Sequence, residues 1–264
     1  QQQRHHPDKR SARAQRDDWL KKEIQRVYDE NHKVYGVRKV WRQLLREGIR
    51  VARCTVARLM AVMGLAGVLR GKKVRTTISR KAVVAGDRVN RQFVAERPDQ
   101  LWVADSTYVS TWQGVVYVAF IIDVFAGYIV GWRVSSSMET TFVLDALEQA
   151  LWARRPSGTV HHSDKGSQYV SLAYTQRLKE AGLLASTGST GDSYDNAMAE
   201  SINGLYKAEV IHRKSWKNRA EVELATLTWV DWYNNRRLLE RLGHTPPAEA
   251  EKAYYASIGN DDLA

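Results

Sequence analysis

Three carboxylates of the 264-residue chain sit where a solvated charge does not belong. Asp105 ends the apolar run Trp102-Val103-Ala104. Asp164 follows His161-His162-Ser163, a short strand-like stretch. Glu200 lies inside the helical stretch Tyr194-Asp195-Asn196-Ala197-Met198-Ala199-Glu200. A carboxylate among apolar neighbours is costly unless it is paired, protonated or bound to a cation. Hard oxygen ligands with incomplete coordination and room for phosphate oxygens suit Mg²⁺. Two such ions about 3.5–4 Å apart activate one oxygen and stabilise the leaving one in phosphoryl transfer. Asp123 is a fourth carboxylate in an apolar stretch. It reads as a turn residue before Gly127, and residue pattern alone does not exclude it from the set.

The elements around these residues follow from periodicity. Residues 101–109 alternate and are β-branched, and 115–123 and 128–134 are apolar strands around the turn Phe125-Ala126-Gly127. The apolar run Gly114 to Trp132 is long enough to raise a membrane helix. Asp123, its glycines and its β-branched and aromatic residues favour a buried hairpin. Then come a helix over 138–153, a strand at 159–163, a helix over 172–181 stopped by Gly182, a strand at 183–186 and a flexible loop at 188–192. A helix from Tyr194 to about His212, another over 219–235, and a last short helix capped by Thr245 with Pro246 at its first position complete the chain. The order β-β-β-α-β-α-β-α-α is that of a ribonuclease-H-like α/β domain, a mixed sheet flanked by helices. If the first strand is central and the short one at 159–163 lies beside it, Asp105 and Asp164 are neighbours, and Glu200 faces them from a covering helix.

Charge divides the chain. Residues 1–100 carry 25 basic and 10 acidic side chains, net +15; residues 101–264 carry 15 and 19, net −4; together these give the total of +11. A basic half joined to a mildly acidic half suggests a polyanion-binding module attached to something else. Residues 1–16 read as a mobile basic arm. Helices at 17–31, 37–47 and 53–63, the last stopped by Gly64, form a helix-turn-helix-type all-α region over 17–66. On the outer face of its third helix, Arg53, Thr55 and Arg58 are placed to reach base edges or phosphate. A basic linker over 67–98 includes Lys72 and Lys73, which would track phosphates or stay solvated, and a possible strand or wing at Val74 to Ile78. The ribonuclease-H-like core takes 99–215, and a helical extension packing on it takes 216–264.

Other features narrow the class. A single cysteine, Cys54, excludes an internal disulfide framework and fits a reducing compartment, and the polar first eighteen residues hold no signal peptide. The chain does not open on Met, so residue 1 is not expected to be a natural start. No GxxxxGK[ST] loop marks an ATP-driven engine. The His161-His162 pair invites a zinc reading, but adjacent strand residues point to opposite faces and no CxxC or HxxxH accompanies them. Trp102 and Tyr108 read as core. On the Glu200 helix, Asn196 at i−4, Asn203 at i+3 and Lys207 at i+7 share a face. Lys165, Gly166 and Gln168 form a loop beside Asp164 suited to touch phosphate.

Four longer motifs occur in order: Trp102-x-x-Asp105-x-Thr107-Tyr108; His161-His162-Ser163-Asp164-x-Gly166-Ser167-Gln168-Tyr169; Gly191-Asp192-Ser193-x-Asp195-Asn196-Ala197-x-Ala199-Glu200; and Tyr233-Asn234-x-Arg236-Arg237. Between Asp164 and Glu200 lie 35 residues. On these motifs, over residues 18–250, the chain resembles transposases of bacterial insertion sequences of the IS-three family, second-reading-frame type, with a retroviral-integrase-like core. The resemblance implies a DDE polynucleotidyl transferase with Asp105, Asp164 and Glu200 as its triad. It also implies two Mg²⁺ ions, for which Mn²⁺ substitutes, with Asp105 bridging them. Lys207 would point at DNA near the scissile phosphate, as a similarly placed lysine does in integrases; Asn203, Lys165 and Gln168 are read as DNA contacts, and Asn196 as a DNA contact, a partner behind the triad or a helix-start hydrogen bonder. The expected partners are double-stranded DNA, as element ends and target, and further copies of the chain. No membrane is expected, and the expected location is the bacterial cytoplasm, on the nucleoid. Ser106 departs from the larger apolar or β-branched residue usual in the family. The family's active protein is commonly a frameshift fusion whose upstream part, with another helix-turn-helix and a leucine zipper, is absent from these residues. Two other readings compete: a DNA-binding regulator with an inactive core, and a nuclease that cuts without joining.

Overall fold

The computed structural model describes residues 10–71, 94–163, 168–187 and 197–261. The chain divides into two units, one of residues 1–69 with Leu238–His244, the other of Arg70–Arg237 with Thr245–Ala264.

The first unit is helical: α1 (Ala12–Glu30), α2 (Val37–Arg46) and α3 (Arg53–Met63). Leu20, Ile24 and Val27 of α1, Val40 and Leu44 of α2, and Val56, Leu59 and Met60 of α3 are buried together at the spacing of an amphipathic face. α1 starts five residues before the expected position. Ser11, whose hydroxyl accepts from Ala14 N, is its cap, so residues 12–16 are helix and not arm. Asp17 and Asp18 therefore lie more than a turn inside it. Gly64, with φ +69°, ends α3, and the next amide, of Leu65, donates back to Met60 O. Arg26 of α1 pairs with Glu23, Glu30 and, just past α2, Glu47. The segment Leu238–His244 belongs here: Leu238 is fully buried, and its amide donates to Tyr35 Oη at 2.9 Å. The 216–264 stretch thus does not stay together as one extension.

The second unit is a five-stranded sheet in the order β3-β2-β1-β4-β5, made of β1 (Leu101–Thr111), β2 (Gly114–Asp123), β3 (Tyr128–Ser135), β4 (Val160–Ser163) and β5 (Leu184–Thr187). β1 is central, antiparallel to β2 and parallel to β4, and β4 is parallel to β5. The apolar run Gly114 to Trp132 is the β2–β3 hairpin, and among the described residues no helix is long and apolar enough to cross a membrane.

Helices α4 (Thr140–Arg154) and α5 (Leu172–Glu180) cover one face, where Trp102, Ala104, Ala119 and Ile121 pack on Phe142, Ala146, Leu147 and Tyr174. The approach of α4 is close at Gly131 of β3, where a Cβ would come within 2.3 Å of Ala146 O. Helices α6 (Ala197–Glu209) and α7 (Arg219–Asn235) cover the other face. There the Phe120 ring stands edge-on to Tyr206, with centroids 5.1 Å apart, and Trp229 lies 5.3 Å from Tyr206. β3 is an outer strand, and side chains close its free edge. Asn234 of α7 donates to Ile129 O and accepts from Ile129 N, and Gln149 of α4 accepts from Trp132 N.

α6 ends at Glu209 and is followed by a short 3₁₀ turn at Ile211–Arg213, earlier than the expected end near His212. The last helix, α8 (Pro247–Asp261), is not short. Its first residue is Pro247, and the carbonyl of Pro246 takes the first helical hydrogen bonds, so Thr245 is not its cap. The expected wing Val74 to Ile78, the loop at 188–192, and Lys72, Lys73, Asp164, Lys165 and Asn196 lie outside the described residues.

Candidate active site

Asp105 sits midway along β1, at the point where burial gives way: Leu101 to Ala104 are buried, and Asp105 and Ser106 are partly exposed. β4 pairs with β1 only from Leu101 to Ala104, and its last residue, Ser163, stands opposite Ala104. Asp164 is the next residue in the sequence. On the α6 face of the sheet, Glu200 occupies the first turn of α6, where the helix dipole favours an anion.

One turn further along α6, the buried Asn203 donates from Nδ2 to Asp105 Oδ2 at 2.7 Å. The other oxygen, Oδ1, accepts from Ser106 N at 2.8 Å. The helix face bearing Glu200 is thereby set against the strand bearing Asp105. Where the sequence suggests a DNA contact at Asn203, the structure gives its amide a protein partner. Spacing on the helix indicates the face but not the partner.

Lys207, a further turn along, lies with its ammonium 5.4 Å from the centre of the Tyr108 ring. Tyr108 is 63% exposed, so it is not core, whereas Trp102 is buried with its indole N–H donated to Asp99. Both share a strand face by alternation, but the side chains of that face are buried only at the start of β1, at Trp102 and Ala104.

The two histidines of β4 have separate partners on opposite sides. His161 Nε2 meets Tyr174 Oη at 2.9 Å, and His162 Nδ1 meets Ser186 Oγ at 3.0 Å. Burial pushes His161 down to about 4, so it is neutral. Gln168 donates to Met138 O at 3.2 Å and ties its loop to the approach to α4. Asp123 is fully buried as a turn residue. It accepts from Asp99 N and Phe125 N, and its own carbonyl accepts from Gly127 N. Among the described residues no three of His, Cys, Asp and Glu come together as a ligand group.

In the helical unit, Arg53 is exposed and Thr55 partly buried. Arg58 is engaged by both oxygens of Asp17 at 3.0 Å. Thr55 and Arg58 line a cleft with Arg13, Arg16 and Arg50. The last three were not singled out from sequence; the helix cap at Ser11 is the signal that places Arg13 and Arg16 on α1.

Residues 15–73 match the model of an HTH-like domain, and residues 95–193 and 181–247 match two models of an integrase core domain. The class is thus an integrase core preceded by a helix-turn-helix-like region. The transposase for insertion sequence element IS629 of Shigella sonnei is 98% identical over 264 residues, covering 100% of this chain and 89% of that protein. A putative transposase for IS986/IS6110 of Mycobacterium tuberculosis is 54% identical over 254 residues, covering 93% and 91%. A chain of the simian T-cell lymphotropic virus intasome, solved by cryo-EM in complex with PP2A regulatory subunit B56 gamma, shares the fold at TM-score 0.50 and 12% identity, covering 86% of this chain and 74% of that one. The chain belongs to the IS-three family of insertion-sequence transposases.

Proposed function

We propose that this transposase cuts DNA at the ends of an insertion sequence and joins the freed 3′-hydroxyl to another phosphodiester, with Asp105, Asp164 and Glu200 as the reacting set. The observation that carries the proposal is the hydrogen bond from Asn203 to Asp105, which sets the Glu200 face of α6 against the central strand. The register of β4 supports it as well, since Ser163, the residue before Asp164, pairs with Ala104, the residue before Asp105.

The donors fit a hard divalent cation. Asp105 and Glu200 are partly exposed carboxylates, and beside Asp105 the buried Oδ1 of Asn203 has no hydrogen-bond partner among the described residues. Asp105, Asp164 and Glu200 would hold two Mg²⁺ ions, replaceable by Mn²⁺. When bound, the ions supply charge stabilisation at the phosphate and a more acidic attacking hydroxyl. In cutting, a water oxygen bonds to phosphorus and gives a proton to solvent, while the bond from phosphorus to the 3′ oxygen breaks and that oxygen takes a proton from solvent, leaving a 3′-hydroxyl. In joining, that hydroxyl gives its proton to solvent, its oxygen bonds to the target phosphorus, and the bond to the target strand's 3′ oxygen breaks, that oxygen being protonated from solvent. No side chain becomes covalently attached to DNA. Lys207, Lys165, Gln168 and Asn196 would line the DNA near the reacting phosphate, and Arg53, Thr55, Arg58, Lys72 and Lys73 would bind duplex further along. The working form is a homo-oligomer on double-stranded DNA, in the bacterial cytoplasm on the nucleoid.

The test is nicking of supercoiled plasmid in Mn²⁺ by the wild type beside Glu200→Gln, followed by joining of a 3′-hydroxyl oligonucleotide to plasmid. Nicking and joining by the wild type alone are expected. Nicking that survives in Glu200→Gln would overturn the triad, and nicking without joining would make the chain a nuclease.

A further inference from the structure

We propose that Asn203 is a positioning residue for Asp105: its amide N–H fixes the carboxylate for cation binding, and it does not contact DNA. The inference rests on the reading of Asp105 as a cation ligand.

Two buried asparagines of the same unit show the difference between an amide that serves the fold and one that serves a site. Asn234 uses both ends, donating to Ile129 O at 3.0 Å and accepting from Ile129 N at 2.8 Å. Its duty, closing the β3 edge, is complete. Asn203 is 7% exposed and uses one end only, with Nδ2 on Asp105 at 2.7 Å. Its Oδ1 is buried without a hydrogen-bond partner among the described residues. A buried amide oxygen left so is costly in a residue that only fills space.

The orientation of the amide is fixed by charge. Turning it over would put Oδ1 against Asp105 Oδ2, two acceptors in contact, so Nδ2 must face the carboxylate. With Ser106 N on Oδ1 and Asn203 Nδ2 on Oδ2, each oxygen of Asp105 takes a donor from the protein, and the carboxylate plane is set before any cation arrives. Asn203 also stands one turn from Glu200 on α6. One helix therefore carries a reacting carboxylate and the group that orients the carboxylate opposite.

The experiment uses the full chain and reads Mn²⁺ binding directly, by the free-Mn²⁺ electron paramagnetic resonance signal, beside plasmid binding and nicking. Asn203→Leu keeps the volume and removes the donor; Asn203→Ala, a smaller side chain, is the second variant should the first fail to fold, as judged by metal-free melting. Outer partners of metal ligands are worth about 10- to 100-fold in affinity. The expected result is Mn²⁺ affinity at least about 10-fold weaker, nicking restored in part at high Mn²⁺, and plasmid binding without metal unchanged. Unchanged Mn²⁺ affinity with weakened plasmid binding would overturn the proposal and return Asn203 to the DNA surface. Asp105→Asn separates this from the underlying reading: if that variant binds Mn²⁺ and nicks like the wild type, Asp105 is not a ligand, and both fall.

Discussion

Arg237 and Glu209 form an ion pair in which both side chains are almost wholly buried, 5% and 6% exposed, and Glu209 is the last residue of the helix that bears Glu200. Arg237 reaches both carboxylate oxygens, and the Trp229 indole N–H donates to Oε2 at 3.0 Å. The fourth sequence motif thereby acquires a role. Asn234 closes a strand edge and Arg237 anchors the far end of α6, so the motif braces the helix from outside the reacting centre.

Removing one partner of a buried pair strands the other. Arg237→Ala should cost about 3–5 kcal/mol in chemical denaturation, whereas the double change Arg237→Met with Glu209→Leu should recover most of it. A single variant as stable as the wild type would show that the pair does not anchor α6.

Glu200→Gln keeps shape and removes charge. Plasmid binding in gel shift should stay within about twofold of the wild type, since the change touches one carboxylate among many phosphate contacts, while nicking should fall by at least about 100-fold, in line with the loss of a major electrostatic contribution to the transition state.

Neutralising Arg53 and Arg58 together should weaken duplex binding and lower the slope of log affinity against log salt by about one to two units. Arg58 is partly neutralised by Asp17, so its share should be the smaller of the two, and Asp17→Asn should raise affinity. An unchanged slope in the double variant would remove α3 from the DNA interface.

Two buried groups titrate against each other. Burial, opposed by the amides of Asp99 and Phe125, pushes Asp123 up to about 7. Its native pKa is raised, so its contribution is complete below about 4 and is lost as pH rises towards 7. His161, pushed down to about 4 by burial, contributes above about 6.5 and loses that contribution as pH falls. Between these limits the two slopes oppose. Denaturation from pH 4 to 7 should show stability rising with pH in Asp123→Asn and falling in His161→Phe, by up to about 1.4 kcal/mol per unit. The slope and not the offset is the readout, since each change also costs a hydrogen bond.

Much of this fold is legible in the sequence because the strands are long or bounded by glycine, and their order admits few topologies. The candidate site is legible for the same reason: a carboxylate inside an apolar strand has few explanations. What stayed hidden depends on contacts across the chain. Asn203 on Asp105 is a pairing 98 positions apart. Tyr108 escapes burial because the buried part of its strand face stops at Ala104, which alternation cannot indicate. The early start of α1 turns on one serine, and the return of Leu238–His244 to the helical unit rests on partners far away in sequence, the Tyr35 hydroxyl for Leu238 N and Arg38 for Glu240.

The plugged margin of β3 bears on how copies of the chain meet. A bare strand margin recruits any extended peptide and grows by template, without regard to DNA. With Asn234 on Ile129 and Gln149 on Trp132, an incoming strand finds that stretch of the margin already hydrogen-bonded. Asn234→Ala would bare the Ile129 end of that margin, and light scattering without DNA should show the variant aggregating more than the wild type.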